Sequence, residues 1–169
     1  NGANKESINL HGAGGTGIQI HGQGTTFTNS GLIMADNDNI TGIKVSNSGK
    51  LENYGEMYIT GNNSVGIDIS DNGTLDINTG NMTISNGTGI RISDSLNENR
   101  NHGILSVTGI ASNGIETVNS NVKNTGDIYI SDFDSKGISS RNSTVGNDGI
   151  ILGKNGTGIY AADNSMLLN

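Results

Sequence analysis

The sequence predicts an all-β chain, a right-handed parallel β-helix of about seven rungs, each 21–25 residues long with three short strands. Three observations predict it. The dipeptide Gly-Ile recurs at Gly17, Gly42, Gly66, Gly89, Gly114, Gly137 and Gly158, in steps of 25, 24, 23, 25, 23 and 21 residues. A second phrase, Asn-x-Gly, recurs with its own period at Asn29, Asn53, Asn78, Asn101, Asn124 and Asn147, and Asn169 falls where the next is due. Between these anchors, apolar residues alternate with polar ones over short runs, the period of a strand with one buried face.

The strand after Gly-Ile is read from Ile18 and Ile20, Ile43 and Val45, Ile67 and Ile69, and Ile90 and Ile92. The strand after Asn-x-Gly is read from Met57 and Ile59, Met82 and Ile84, Leu105 and Val107, and Ile128 and Ile130. A third, weaker apolar position precedes the asparagine at Phe27, Leu51, Val122, Val145 and Leu167. Clusters of Gly, Asn, Ser and Asp separate the runs and supply turn chemistry. Three strands in so few residues bury nothing alone, whereas stacked repeats share one continuous core. Rungs about 4.8 Å apart would make seven of them a rod roughly 34 Å long. The variable rung length favours the right-handed form over the hexapeptide-patterned left-handed one.

Composition fits a one-dimensional core. Of 169 residues, 27 are Gly and none is Pro, Cys or Trp, and only 31% are apolar, too few for a conventional layered core. The net charge of −7 argues against nucleic acid as a partner. Apolar stretches of three or four residues do not insert in a membrane, and the absence of cysteine excludes disulfides and thiolate metal sites. No signal peptide is visible, and both ends fall in mid-pattern. The expectation is therefore a single segment, residues 1–169, cut from a longer protein.

The asparagines Asn29, Asn53, Asn78, Asn101, Asn124, Asn147 and Asn169 occupy one register. They are expected to form an internal ladder, each amide hydrogen-bonded to the next along the axis. Asn also tolerates the left-handed conformation of sharp turns, and the glycine two residues on fits the same turn.

The phrases Gly-Ile-x-Ile and Asn-x-Gly-x-Ile-x-Ile, with abundant Asn and no Pro, resemble the passenger repeats of type V autotransporter adhesins, above all the large passengers of Fusobacterium and related Gram-negative bacteria. The resemblance covers essentially the whole chain. It implies a parallel β-helical rod exported to the bacterial surface, held at the outer membrane by a C-terminal barrel outside this segment, or secreted. It further implies adhesion to a host cell-surface protein or glycan, or to another bacterium, by a monomeric rod continuing into flanking repeats.

Catalysis and metals have weak support. The acids Asp68, Asp71, Asp76, Asp94, Asp127, Asp132 and Asp134 read as surface or turn residues, with Asp68 outward between Ile67 and Ile69. His11, His21 and His102 have no metal-ligand spacing. Asp36-Asn37-Asp38-Asn39 and Asp132-Phe133-Asp134 are oxygen-rich, but neither completes a calcium loop. Gly12 to Gly17 lacks the Lys-Ser/Thr of a phosphate loop, and no helix follows. The expectation is a non-enzymatic adhesin segment without cofactor. The alternative is a carbohydrate-active β-helix, a tailspike-like polysaccharide depolymerase or lyase.

Contact residues must be sought among those that do not repeat. Tyr54, Tyr58, Tyr129 and Phe133 are the exposed aromatic candidates, with Tyr58 and Tyr129 expected on one outward face three rungs apart. Between Ile92 and Gly103 the third-strand apolar position is filled by Asn99, so this segment is expected to loop outward and present Asn97, Glu98 and Arg100. A second irregularity is expected at Thr117-Val118, where the inward alternation shifts.

Overall fold

The computed structural model describes residues 1–168 and shows a parallel β-solenoid. Its strands visit three sheets in strict rotation. Sheet A holds eight strands: Gly2–Asn4, Thr26–Asn29, Lys50–Asn53, Thr74–Asn78, Glu98–Asn101, Asn121–Asn124, Thr144–Asn147 and Met166–Leu168. Sheet B holds seven: Ile8–Leu10, Ile33–Ala35, Met57–Ile59, Met82–Ser85, Leu105–Thr108, Ile128–Ile130 and Ile151–Gly153. Sheet C also holds seven: Thr16–His21, Thr41–Ser46, Ser64–Ile69, Gly87–Ser93, Asn113–Val118, Lys136–Arg141 and Thr157–Ala162. Neighbouring strands in each sheet lie about one repeat apart in sequence and all pair in parallel, so each rung is one turn of the chain through A, B and C.

The register puts equivalent residues over one another. Ile18, Ile43, Ile67, Ile90, Ile115, Ile138 and Ile159 form one column of sheet C. Met57, Met82, Leu105 and Ile128 form one of sheet B. Both columns are fully buried over most of their length and belong to a single core. The low apolar fraction suffices because the inward positions of every rung feed this one column of packing.

The asparagine ladder is present, and it begins one rung earlier than expected, at Asn4. From Asn4 through Asn29, Asn53, Asn78, Asn101 and Asn124 to Asn147, each Nδ2 donates to the next Oδ1 at 2.6–2.8 Å. The second Nδ2 proton goes to the carbonyl two residues on, at 2.7–3.2 Å. Both amide protons are thereby used. Asn169, the last expected member, lies outside the described residues.

The left-handed conformation belongs elsewhere. None of the ladder asparagines has positive φ, nor do the glycines two residues after them. Those glycines are required by close approach: a Cβ on Gly31, Gly55, Gly80, Gly103, Gly126 or Gly149 would overlap a backbone carbonyl oxygen of the rung before. Left-handed residues build the other two corners. Asn39, Asn63, Asn86, Ala111, Asp134 and Asn155 turn the chain from sheet B to sheet C, and Asn47, Asp71, Asp94, Asn119, Asn142 and Asp163 turn it from C to A. Asn and Asp bear this conformation best among residues with a Cβ, and Ala111 and Ser48 depart from the pattern.

Two expected irregularities are corrected. The segment after Ile92 does not loop out. Residues 94–97 form a four-residue turn, the same length as 22–25 and 70–73, and Asn99 points inward with its side chain buried. The irregularity lies one rung earlier, in Thr74–Asn78, whose register against Lys50–Asn53 shifts between Leu75 and Ile77. The extra residue hid Leu75 as the inward member of that strand. Toward the next rung only Asn78 and Asn101 remain paired. Asn99 repairs the gap: its Oδ1 accepts from Leu75 N at 2.8 Å, and its Nδ2 donates to Asn97 O and Asn121 O at 3.0 Å. At Thr117 the alternation does not shift either. Thr117 stands inward in the column of Ile92 and Ser140, and its hydroxyl meets Ser143 Oγ at 3.1 Å. Val118 is the half-exposed residue.

Candidate binding surface

Outward side chains are ordered by the same register as inward ones. On sheet B the outward column reads Asn9, Met34, Tyr58, Thr83, Ser106, Tyr129, Leu152. Tyr58 and Tyr129 therefore share one face, three rungs apart, with 44% and 38% of their surface exposed. Each hydroxyl donates to the carboxylate two residues back: Tyr58 Oη to Glu56 Oε2 at 3.3 Å and Tyr129 Oη to Asp127 Oδ2 at 3.4 Å. Met34 and Leu152 extend the apolar character of this column and were missed in the sequence because neither is aromatic. Near its start, Leu10, Met34, Ala35, Tyr58 and Thr60 line a shallow depression of about 290 Å³. His11 Nδ1, on its rim, lies 3.4 Å from Asp36 Oδ2.

The other candidates lie apart from this face. Tyr54 is exposed at the corner from sheet A to sheet B, in the x position of Asn-x-Gly. Phe133 is exposed in the turn from B to C. Asn97 lies in the turn before the Glu98–Asn101 strand of sheet A and Glu98 and Arg100 within it, where they line a groove of about 660 Å³ with Gln23, Lys50 and Asn72. Asn97 Nδ2 donates to Asn72 O at 3.0 Å. Arg100 pairs with Glu98 at 3.2 Å and with Asp76 at 3.6 Å. The guanidinium bond holds the Glu98 carboxyl below its ordinary value, and the same bond raises Arg100. The seven candidates thus fall into four groups, and only Tyr58 and Tyr129 repeat one environment.

Sheet C carries charge outward. Lys44, Asp68, Arg91 and Glu116 follow one another in register with alternating sign. Asp68 faces outward as expected, and Arg91 Nε donates to its Oδ1 at 2.9 Å. That hydrogen bond is the main reason the Arg91 guanidinium is raised above its ordinary value, against the opposing effect of burial. Like charges stacked at rung spacing would repel, so this alternation keeps the pairing register favourable.

The oxygen-rich turns are occupied by rung-to-rung hydrogen bonds. Asp38 Oδ1 accepts from Asn62 N at 2.8 Å and from Asn62 Nδ2 at 3.0 Å. Asp132 Oδ2 accepts from Gly109 N at 2.8 Å and from Ser131 Oγ at 2.7 Å, and these bonds, Gly109 first, hold its carboxyl below the usual range. Asp94 accepts from Asn119, which in turn accepts from Asn142, both at 2.8 Å. Among the described residues, no three His, Cys, Asp or Glu side chains converge as a metal site.

No protein-family model, curated protein or solved structure matches this chain.

Proposed function

We propose that this chain is a non-enzymatic segment of a bacterial surface adhesin, a rod that presents outward side chains to a host-cell or bacterial receptor outside the cell. The observation that carries this reading is the outer face of sheet B. There Met34, Tyr58, Tyr129 and Leu152 stand in one column, each at least 38% exposed, on a scaffold whose repeated Ile and ladder Asn columns turn inward. Large exposed side chains on a rigid frame are the usual material of an interaction surface. The fixed rung spacing presents them without the ordering cost that flexible loops incur on binding. The likeness of the Gly-Ile-x-Ile and Asn-x-Gly phrases to autotransporter passenger repeats supports the same reading.

The test is attachment. The purified chain, coupled to fluorescent beads, is expected to bind a host epithelial or bacterial cell surface saturably, with free chain competing. Absence of saturable binding across a panel of cells would leave a passive spacer and contradict the adhesive reading. Sustained release of reducing ends from acidic polysaccharides would contradict the non-enzymatic part.

A further inference from the structure

Two stretches of the chain repeat more than the rod requires. Glu56-Met57-Tyr58-Ile59-Thr60 and Asp127-Ile128-Tyr129-Ile130-Ser131 share an acid, a tyrosine and a hydroxyl at alternate positions. Their inward members, Met57, Ile59, Ile128 and Ile130, belong to the core. Their outward members are not needed for packing, because the two intervening rungs carry Asn81, Thr83, Ser85 and then Ile104, Ser106, Thr108 at the same places. The register Tyr58–Thr83–Ser106–Tyr129 separates the tyrosines by three rungs, about 14 Å. Between them lies a floor of small hydroxyls, of which Ser85 Oγ and Thr108 Oγ1 are 2.9 Å apart. Each end is closed by a tyrosine already bonded to its own carboxylate.

The geometry points to a binding site for a neutral oligosaccharide laid along sheet B, one sugar ring at Tyr58 and another at Tyr129. This inference rests on the adhesive reading above and gives it a ligand class. An exposed tyrosine offers a flat apolar ring with a polar tip, suited to the C–H face of a pyranose. Glu56 and Asp127 accept sugar hydroxyls in charge-assisted hydrogen bonds, stronger than neutral ones. The floor hydroxyls of Thr83, Ser85, Ser106 and Thr108 both donate and accept, and so match a ligand that does the same. Their small size lets a chain lie close to the sheet between the two tyrosines. A protein partner would instead be expected to meet a desolvated apolar centre, and here the centre is hydroxylated, with Ile104 only at its margin. Two carboxylates, one at each end, disfavour sialic and uronic acids. The spacing exceeds one sugar ring, so both tyrosines are engaged only by an oligosaccharide.

The experiment is a titration of the whole chain with neutral hexose and N-acetylhexosamine oligosaccharides, followed by the NMR signals of Tyr58 and Tyr129. Binding is expected, with the matching monosaccharides at least tenfold weaker. Tyr58→Ala and Tyr129→Ala are each expected to weaken it at least tenfold while leaving the circular dichroism and melting temperature unchanged, since both rings point away from the core. Failure of every neutral oligosaccharide to bind, or undiminished binding by the double variant, would overturn the site. If the double variant loses glycan binding yet still attaches to cells, the glycan site stands and attachment uses another surface of the rod. If the double variant loses cell attachment although no glycan binds the parent, the ligand is a protein and the glycan assignment is overturned. If the parent binds neither cells nor glycans, both readings fail.

Discussion

Replacing Asn78 with leucine is expected to destabilise the rod by about 3–6 kcal/mol. Asn78 sits in the middle of the ladder with no exposed surface. Its Oδ1 accepts from Asn53 Nδ2 at 2.6 Å, and its Nδ2 donates to Asn101 Oδ1 at 2.7 Å and to Gly80 O at 3.1 Å. Leucine, close to asparagine in bulk, fills the space and satisfies none of these. Three buried groups on three rungs lose a partner, and each costs about 1–2 kcal/mol here, within the range for a polar group left unpaired in the interior. The melting temperature is expected to fall on the order of 10 °C or more. Asn147→Leu should cost less, because Asn147 is only half-buried and water can replace part of what is lost. Equal melting temperatures for the parent and Asn78→Leu would show that the column contributes nothing.

The second large effect is Gly80→Ala, expected to cost at least about 3 kcal/mol, the upper end of the overpacking range. An alanine methyl here would overlap the Gly55 carbonyl oxygen and lie 2.8 Å from Asn53 Nδ2. Both neighbours are fixed, one by the backbone and one by the ladder, so relief requires moving a rung. Gly146→Ala is the matched control. The nearest atom to its new methyl is Lys123 Cγ at 3.9 Å, ordinary contact distance, and its φ is not positive. It is expected to be neutral or to stabilise by up to about 1 kcal/mol through loss of unfolded-chain entropy. Urea denaturation of the two variants separates steric exclusion at the corner from a general penalty for losing glycine.

The architecture was legible because stacking places each residue in the environment of its counterpart one rung away. Ile43 and Ile67 must solve the same packing problem, so the solution recurs in the sequence at the rung period. The ladder was legible for the same reason. The glycine beside it was legible as a position but misread in cause. It answers a close approach between rungs, which is a distance across the stack and leaves no mark along the chain. Asparagine was the hardest residue to read, because it serves three purposes here. Asn78 bonds inward along the axis, Asn86 takes the left-handed corner, and Asn99 substitutes for a missing strand bond beside Leu75. Only register tells these apart, and the extra residue in Thr74–Asn78 displaced the register where it mattered most.

The candidate surface was legible in part. Period two put Tyr58 and Tyr129 on one face because alternation holds in both strands. The grouping of Asn97, Glu98 and Arg100 with Asn72 and Lys50 was not, since those residues meet across the turns of successive rungs. Nor was the depression beside Met34, whose lining comes from three successive rungs, Leu10, Met34 and Tyr58 among them.

The inside–outside map rests on the asparagine column, and hydrogen exchange of its side-chain amides by NMR tests it most directly. The Nδ2 protons of Asn29, Asn53, Asn78, Asn101 and Asn124 are expected to exchange only when the rod opens, far more slowly than those of the exposed turn residues Asn39 and Asn72. Exchange of the column amides at the rate of the turn amides would place them in solvent and contradict the map from which every outward residue named above was assigned.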